Sequence, residues 1–379
     1  MGIKNLFKLI KNESKDSIKS IDFKNIHMRR VAIDTSIVLY QYVVAIRSRG
    51  ADLETTDGRK TSHIYGILSK AIGLIEKGVL PIFVFDGKPP ELKKNVLDTR
   101  KKKRELAKQS LEVIDDEKER IKLLKRLVVI SGKHMEECKE VLKLIGLPVI
   151  QASEEADSQC AYLSSKNLVY GVASEDMDLL TFGAKKLIRN FSVSKRKQMI
   201  EISLDKILED FEMTMDQFID LCILLGCDYT GTIKGIGAKK AFAFLKKYNS
   251  IEGIIKYIQE NNLKRYQIPE SFDYKSARKY FKKCVACKIE RKDLQWKNPE
   301  LDKLKKVLKF YEFSDKKIDK QCKRISNYFT LYNKRRDKII EQKAGKKMLS
   351  KLYKIKDSNK LSSKSLSKSS FKLGIIREV

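Results

Sequence analysis

Four hydrophobic runs in this sequence end in carboxylates. Val31–Ile33 leads into Asp34, and Ile82–Phe85 leads into Asp86. Pro148–Ser153 leads to Glu155 and Asp157, and Val169–Ser174 leads to Asp176 and Asp178. In an open α/β sheet, ligand sites gather beyond the carboxyl ends of the strands. A seventh acid, Asp228, follows an apolar helix pattern that ends at Gly226, where the negative end of the helix dipole disfavours it unless a cation is near. A single Asp after a strand is more often a helix cap, but capping does not explain four strand ends together. Converging carboxylates repel one another unless something positive lies among them. Oxygen ligands with no histidine nearby suit Mg²⁺, with Mn²⁺ as a substitute, better than Zn²⁺. Two such ions roughly 3.5–4 Å apart serve in-line phosphodiester cleavage.

The overall charge points to the same kind of substrate. Lys and Arg number 80 against 49 Asp and Glu, a net charge of +31, which calls for a polyanionic partner. A lysine-rich genomic bias accounts for part of that excess. No apolar run approaches the roughly 18–20 residues that span a bilayer, and the N-terminus lacks the apolar stretch of a secretory signal. Leu6 stands where N-myristoylation requires Ser or Thr. Nucleic acid is therefore the expected partner, with no membrane. The seven scattered cysteines fit an intracellular, reducing compartment, the nucleus if the source is eukaryotic. Cys284 and Cys287 form one C-x-x-C, read as two thiols on one helix face, because a zinc site needs two more ligands.

The elements that must position the acids alternate in type. Strands are expected at Val31–Ile33, Pro81–Phe85, Pro148–Ile150, Leu168–Val172 and Leu187–Ile188, separated by helices such as Thr61–Glu76 and His134–Leu144. That alternation predicts an α/β fold with a doubly wound, mainly parallel sheet flanked by helices. Lys93–Arg126 is dense in charge, with a thin apolar stripe at Leu106, Leu111, Ile114, Ile121 and Leu124. Taken alone, it reads as a solvated helical hairpin with i,i+4 ion pairs. Thr214–Leu225 is a helix opened by capping-box spacing between Thr214 and Gln217 and closed by Gly226. Further helices are expected at Lys239–Lys247, Ile251–Gln259, Asp302–Phe310 and Lys316–Phe329, and the Lys/Ser-rich stretch 343–379 reads as a disordered basic tail.

Met1-Gly2-Ile3, Val84–Pro90, Glu175–Gly183 and Leu225–Tyr229 closely resemble the eukaryotic and archaeal flap endonucleases, and the likeness runs in order over about residues 1–330. The resemblance implies a nuclease domain over 1–342, made of an N-terminal part (1–87), a helical arch insertion (88–132) and an internal part (133–342). The last of these contains a helix-two-turn-helix DNA-binding element around 214–262. Asp34, Asp86, Glu155 and Asp157 would serve one metal, and Asp176, Asp178 and Asp228 the other. Asp157 stands where the family usually carries Glu, so its shorter arm would reach a metal through water. The arch would pass a single-stranded 5′ flap, turning the solvated-hairpin reading around.

Lys93, Arg100 and Arg104 are spaced by seven and four, so they share a helix face. Lys93 and Arg100 match the pair that contacts the scissile phosphate. Tyr40 matches an aromatic on which a base stacks, although a core tyrosine is the plain alternative. Arg47 matches a DNA contact, and Lys70 stands where the family commonly has Arg, keeping the charge. Arg104, Glu155, Gly226 and Asp228 are further expected DNA contacts, and Gly2 would lie beside the active site. Lys234-Gly235-Ile236-Gly237-Ala238-Lys239-Lys240 is a glycine turn entering a basic helix, whose free amides suit a phosphate. The family holds duplex backbone there with a K⁺ ion, and Ala238 replaces the usual Pro.

The expected activity is structure-specific 5′ flap cleavage with 5′–3′ exonuclease activity, by a monomer acting on branched DNA in replication and repair. The alternatives are a double-strand 5′–3′ exonuclease of the same superfamily, a non-catalytic junction-binding protein, and an RNase toxin-like domain, which would need neither arch nor glycine–lysine turn. No conventional sliding-clamp motif is present: Cys322 occupies the glutamine position of the nearest match, Cys322-x-x-Ile325-x-x-Tyr328-Phe329, expected inside a core helix.

Overall fold

The computed structural model describes residues 2–47, 53–111, 116–193, 197–334 and 336–337. Met1–Ile325 form one compact unit and Ser326–Val379 a second. In the first, a seven-stranded sheet runs in the order β1-β7-β6-β5-β2-β3-β4. Its members are β1 Ile18–Ile21, β2 Arg30–Asp34, β3 Leu80–Phe85, β4 Val149–Gln151, β5 Gly171–Ala173, β6 Lys186–Arg189 and β7 Met199–Ser203. The inner strands from β6 to β4 pair in parallel, and β7 and β1 add an antiparallel edge.

The parallel strands are continuous apolar runs because helices cover both faces. Val31, Ala32, Ile33, Phe83, Val84 and Phe85 are fully buried, and each large side chain contributes about 1.5–3 kcal/mol by leaving water. β1 and β7 were not foreseen. Their sequences, IKSI and MIEIS, place Lys, Ser and Glu among apolar residues: β1 is the edge, whereas β7 pairs on both sides and buries Glu201 against Lys186 at 3.0 Å. The expected strand at Leu168–Val172 starts late because Leu168 N–H still bonds the Leu163 carbonyl at 3.0 Å, closing the preceding helix.

The chain order places a switch at β2. From β2 the chain winds to β3 and β4 on one side, then returns to β5 and β6 on the other. Strand ends match in register, with Asp34 opposite Val84, Phe85 opposite Gln151, and Ile33 opposite Ala173. The carboxyl ends of four adjacent strands therefore share one edge of the sheet.

Between β3 and β4 rise the helices Lys94–Leu111 and Glu117–Arg126. Ala107 and Leu123 are their buried residues, whereas Leu106, counted in the expected stripe, is 62% exposed. Ile114 lies outside the described residues. Helix Met215–Leu225 opens with the expected capping box, Thr214 Oγ1 accepting from Gln217 N–H and Gln217 Oε1 from Thr214 N–H. Helices Ala238–Tyr248, Ile251–Glu260 and Tyr274–Lys283 follow. The C-x-x-C does not lie on one helix face: Cys284 ends helix Tyr274–Lys283 at φ 40°, and Cys287 lies beyond it. Among the described residues no helix is long and apolar enough to cross a membrane. Residues 315–325 are helical with Ile318, Cys322 and Ile325 buried, as expected of a core helix.

Candidate active site

Asp34 is the last residue of β2 and Asp86 follows β3 directly. Glu155 is the N-cap of helix Ala156–Ser165, which carries Asp157 in its first turn. Asp176 follows β5, and Asp178 opens the short helix Asp178–Thr181. Several of these acids do act as caps: Asp34 Oδ1 accepts from Ile37 N–H at 3.4 Å and Asp86 Oδ1 from Ala156 N–H at 2.8 Å. Ser174 Oγ donates to Asp34 Oδ2 at 3.3 Å and accepts from Asp176 N–H at 3.1 Å, tying the ends of β2 and β5 together.

Capping leaves much of the set unsatisfied. Asp157 Oδ1 and Asp178 Oδ1 are sealed from solvent and have no hydrogen-bond partner among the described residues. A buried carboxylate oxygen without a donor is costly. Burial, reinforced by Asp86, pushes Asp34 up to about 8. Burial and then neighbouring acids hold Asp157 and Asp178 well above the carboxylate range, and burial raises Asp176. Such a site favours either protons or cations, and its all-oxygen donors fit a hard divalent ion. As the side chains stand, no three acids among the described residues meet around a single metal position.

Two protein cations reach the acids from the arch. Lys93 Nζ bonds Glu155 Oε1 and lies 5.8 Å from the centre of the Tyr229 ring. Burial alone would lower Lys93, but Glu155, Asp157 and Asp228 reverse this and raise it. Arg100 meets Asp228 at 2.6 Å. Lys93 closes a short 3₁₀ turn, Glu91–Lys93, just before the helix that carries Arg100 and Arg104. The three therefore do not share one α-helix, though Lys93 and Arg100 still converge on the acids.

Comparison with known proteins gives this arrangement a family. The XPG N-terminal domain model matches residues 1–107 and the XPG I-region residues 146–228. Flap endonuclease 1 of Brugia malayi is 42% identical over 307 residues, covering 80% of this chain and 80% of its own. The chain belongs to the flap endonuclease family. The solved flap endonuclease-1 from Methanococcus jannaschii matches with a TM-score of 0.63 at 28% identity, over 83% of this chain and 97% of that one. The Holliday junction-resolving enzyme GEN1, solved with product DNA, Mg²⁺ and Mn²⁺ ions, shares the fold at TM-score 0.52 and 20% identity, over 82% of this chain and 69% of that one.

The other expected contacts of this flap endonuclease fall in three groups. Gly2 sits on the acids at φ +76°, and a Cβ there would lie 1.8 Å from Asp176 Oδ1 and 2.4 Å from Asp178 Oδ1. Tyr40 is no core residue: it is 38% exposed, and its hydroxyl donates to the Lys125 carbonyl of the arch at 3.3 Å. Arg104 is half-buried one turn beyond Arg100. Arg47 ends helix Thr35–Arg47, and its side chain lies outside the described part.

Around the glycine turn, Lys234, Lys239 and Lys240 are exposed. Gly235 takes φ +90° where a Cβ would meet the Arg265 carbonyl at 2.7 Å, and Gly237 caps helix Ala238–Tyr248.

Two further expected DNA contacts are buried. Lys70 is only 5% exposed, and its ammonium donates to the Phe191 carbonyl. Its helix, Ser62–Glu76, is buried almost all round, so the ammonium here is turned to the protein's own backbone and away from solvent. Gly226 is buried too. At φ +106° it closes helix Met215–Leu225, and its carbonyl accepts from Lys4 N–H at 3.2 Å, so it shapes the turn before Asp228.

Two residues of the site went unread in the sequence. Tyr229 OH donates to Glu155 Oε2 at 2.5 Å, and Tyr280 OH lies 3.2 Å from the same oxygen and 3.0 Å from Glu154 Oε2. Burial, then Glu155, raises both phenols, so both remain donors. Tyr229 directly follows Asp228, a signal that was available. Tyr280 is 125 residues from Glu155 and carried no local sign.

Proposed function

We propose that this chain hydrolyses branched DNA at single-strand/duplex junctions, as a divalent-metal-dependent 5′ flap endonuclease with 5′–3′ exonuclease activity serving replication and repair. The observation that carries this reading is that Lys93 and Arg100 reach from the arch to two of the site's acids, Lys93 to Glu155 of the strand-end set and Arg100 to Asp228 beyond helix Met215–Leu225. Asp34, Asp86, Glu155 and Asp157 would hold one Mg²⁺ or Mn²⁺ ion, and Asp176, Asp178 and Asp228 the other. The partnerless oxygens of Asp157 and Asp178 support that assignment. Bound divalent ions supply Lewis acidity at the scissile phosphate.

The protein's own groups supply the rest. Lys93 and Arg100, now paired with acids, would exchange those partners for phosphate oxygens and offset charge that grows in the transition state. Tyr40 would offer its exposed ring to a base, a contact indifferent to sequence. The amides and lysines of the Gly235–Lys240 turn would hold duplex backbone, with K⁺ at that turn. The protein would act as a monomer in an intracellular, reducing compartment.

Labelled flap, nicked and single-stranded DNA, each incubated with Mg²⁺ and with EDTA, test the reading. Flap cleavage in Mg²⁺ alone is expected. Preference for nicked or gapped duplex would favour the 5′–3′ exonuclease instead, and binding without cutting would leave a junction-binding protein.

A further inference from the structure

Glu155 uses its two oxygens for different neighbours. Oε1 is bonded to the Lys93 ammonium, while Oε2 faces two phenols, Tyr229 at 2.5 Å and Tyr280 at 3.2 Å. Both tyrosines are buried, at 4% and 8% exposure. Their rings are fixed as well: Tyr229 and Tyr280 have centroids 4.7 Å apart, and both pack on Phe182, which directly follows the acid-bearing helix Asp178–Thr181. A phenol held in such a cluster has little freedom to release its acceptor.

The helix that carries Tyr280 is anchored elsewhere. Arg278 forms a bidentate pair with Asp220 of helix Met215–Leu225, at 2.6 and 2.7 Å, and reaches Glu252 of helix Ile251–Glu260 at 2.7 and 2.9 Å. Such charge-assisted forks fix direction as well as distance. Helix Tyr274–Lys283 thus joins the element that carries the glycine–lysine turn to the acid Glu155.

We propose that Tyr280, with Tyr229, is a positioning residue that makes Glu155 a one-oxygen metal ligand. With Oε2 held by the phenols, Oε1 is the atom left to exchange Lys93 for a cation. The release of Lys93 toward a phosphate and the opening of Glu155 to a metal are then one event. Tyr280 OH has a single proton to share between Glu154 and Glu155, so it tunes the clamp while Tyr229 makes the shorter bond. This inference rests on the metal-dependent nuclease reading above.

Tyr280→Phe removes one oxygen and keeps the ring in its cluster, which separates the clamp from mere packing. The full chain would be titrated with Mn²⁺ in the absence of DNA, following the free-ion resonance. Single-turnover flap cleavage would be measured across Mg²⁺ concentrations, and flap affinity in Ca²⁺. Tyr280→Phe should weaken Mn²⁺ binding and slow cleavage at low Mg²⁺ by about tenfold, the usual scale for groups that orient a metal ligand. High Mg²⁺ should restore much of the rate, with flap affinity unchanged and the thermal midpoint lowered only by the loss of one buried hydrogen bond. Tyr229→Phe, the second variant, should act in the same direction and more strongly. Parent-like Mn²⁺ affinity and Mg²⁺ dependence in both folded variants would overturn the clamp. A parent protein that cuts no flap in Mg²⁺ would instead remove the nuclease reading beneath it.

Discussion

Arg100 of the arch and Asp228 of the loop after helix Met215–Leu225 meet at 2.6 Å across 128 residues of sequence. Their side chains are 48% and 24% exposed, so the pair is open to solvent on one side. Exposed pairs of this kind contribute about 0.2–1 kcal/mol. Exchanging Asp228 for a phosphate oxygen is therefore cheap, and the arch arrives already aimed at the acids.

That exchange sets the first prediction. Lys93→Ala and Arg100→Ala should each slow single-turnover flap cleavage by about 10²-fold or more, the scale of losing a donor aimed at developing charge. Flap affinity measured in Ca²⁺ should change much less. If affinity falls and the rate of the bound complex stays constant, the two residues are electrostatic guides only.

Asp86→Ala and Asp178→Ala should abolish cleavage while leaving flap binding in place. Asp178 has a sealed, partnerless oxygen, and Asp86 spends one oxygen capping helix Ala156–Ser165. Asp86→Ala should thus also cost about 1 kcal/mol of stability, the usual value of a lost cap. Cleavage retained within about tenfold, or roughly 1.4 kcal/mol of barrier, would remove either residue from the metal assignment.

These acids were legible because each strand-end acid follows a buried apolar run, so strand and site are read from one stretch of sequence. The edge strand Ile18–Ile21 and its inner neighbour Met199–Ser203 were not, since both mix polar or charged residues with apolar ones, and the buried Glu201 is satisfied through tertiary partners, Lys186 and Tyr170. Lys93 was placed on a helix face by spacing alone, but the chain enters the arch through a 3₁₀ turn after Pro89-Pro90. Tyr280 and Lys70 are set by tertiary packing, which spacing does not encode. The Lys70 expectation came from a position where the family commonly has Arg, and the buried surroundings of that helix argue against it.

Binding should depend steeply on salt and little on sequence. Lys234, Lys239 and Lys240 stand exposed around the Gly235 turn, and each phosphate they neutralise releases counterions. Lys239→Ala with Lys240→Ala should flatten a plot of log affinity against log salt by about one to two contacts. An unchanged slope in that variant would move the duplex contact away from this turn.

Gly2 should tolerate no side chain. A Cβ would overlap both Asp176 and Asp178, at 1.8 and 2.4 Å, and the backbone there is at φ +76°. Gly2→Ala should therefore displace the acid pair, lowering the single-turnover rate by an order of magnitude or more while the flap stays bound. A parent-like rate would show that the N-terminal segment moves aside when DNA binds.

Lys70 gives the last prediction, because burial and DNA contact imply opposite outcomes. Burial lowers its pKa from 10.5 to about 8, only partly offset by Glu175. A lysine depressed on folding contributes its full stability above the unfolded pKa and loses it as pH falls through the folded one. The relevant window here runs from about pH 10.5 down to about 8. Below it, keeping the charge in that site costs roughly 3 kcal/mol. Lys70→Met removes this cost but leaves the Phe191 carbonyl without its donor, a loss of about 1–3 kcal/mol. The variant should thus be more stable than the parent at pH 7 by about 1 kcal/mol, with the gap closing or reversing near pH 10. Urea unfolding of both proteins at pH 7 and pH 10 measures that difference, and flap affinity should be unchanged. A variant no more stable at pH 7 that binds flaps weakly would return Lys70 to the DNA interface.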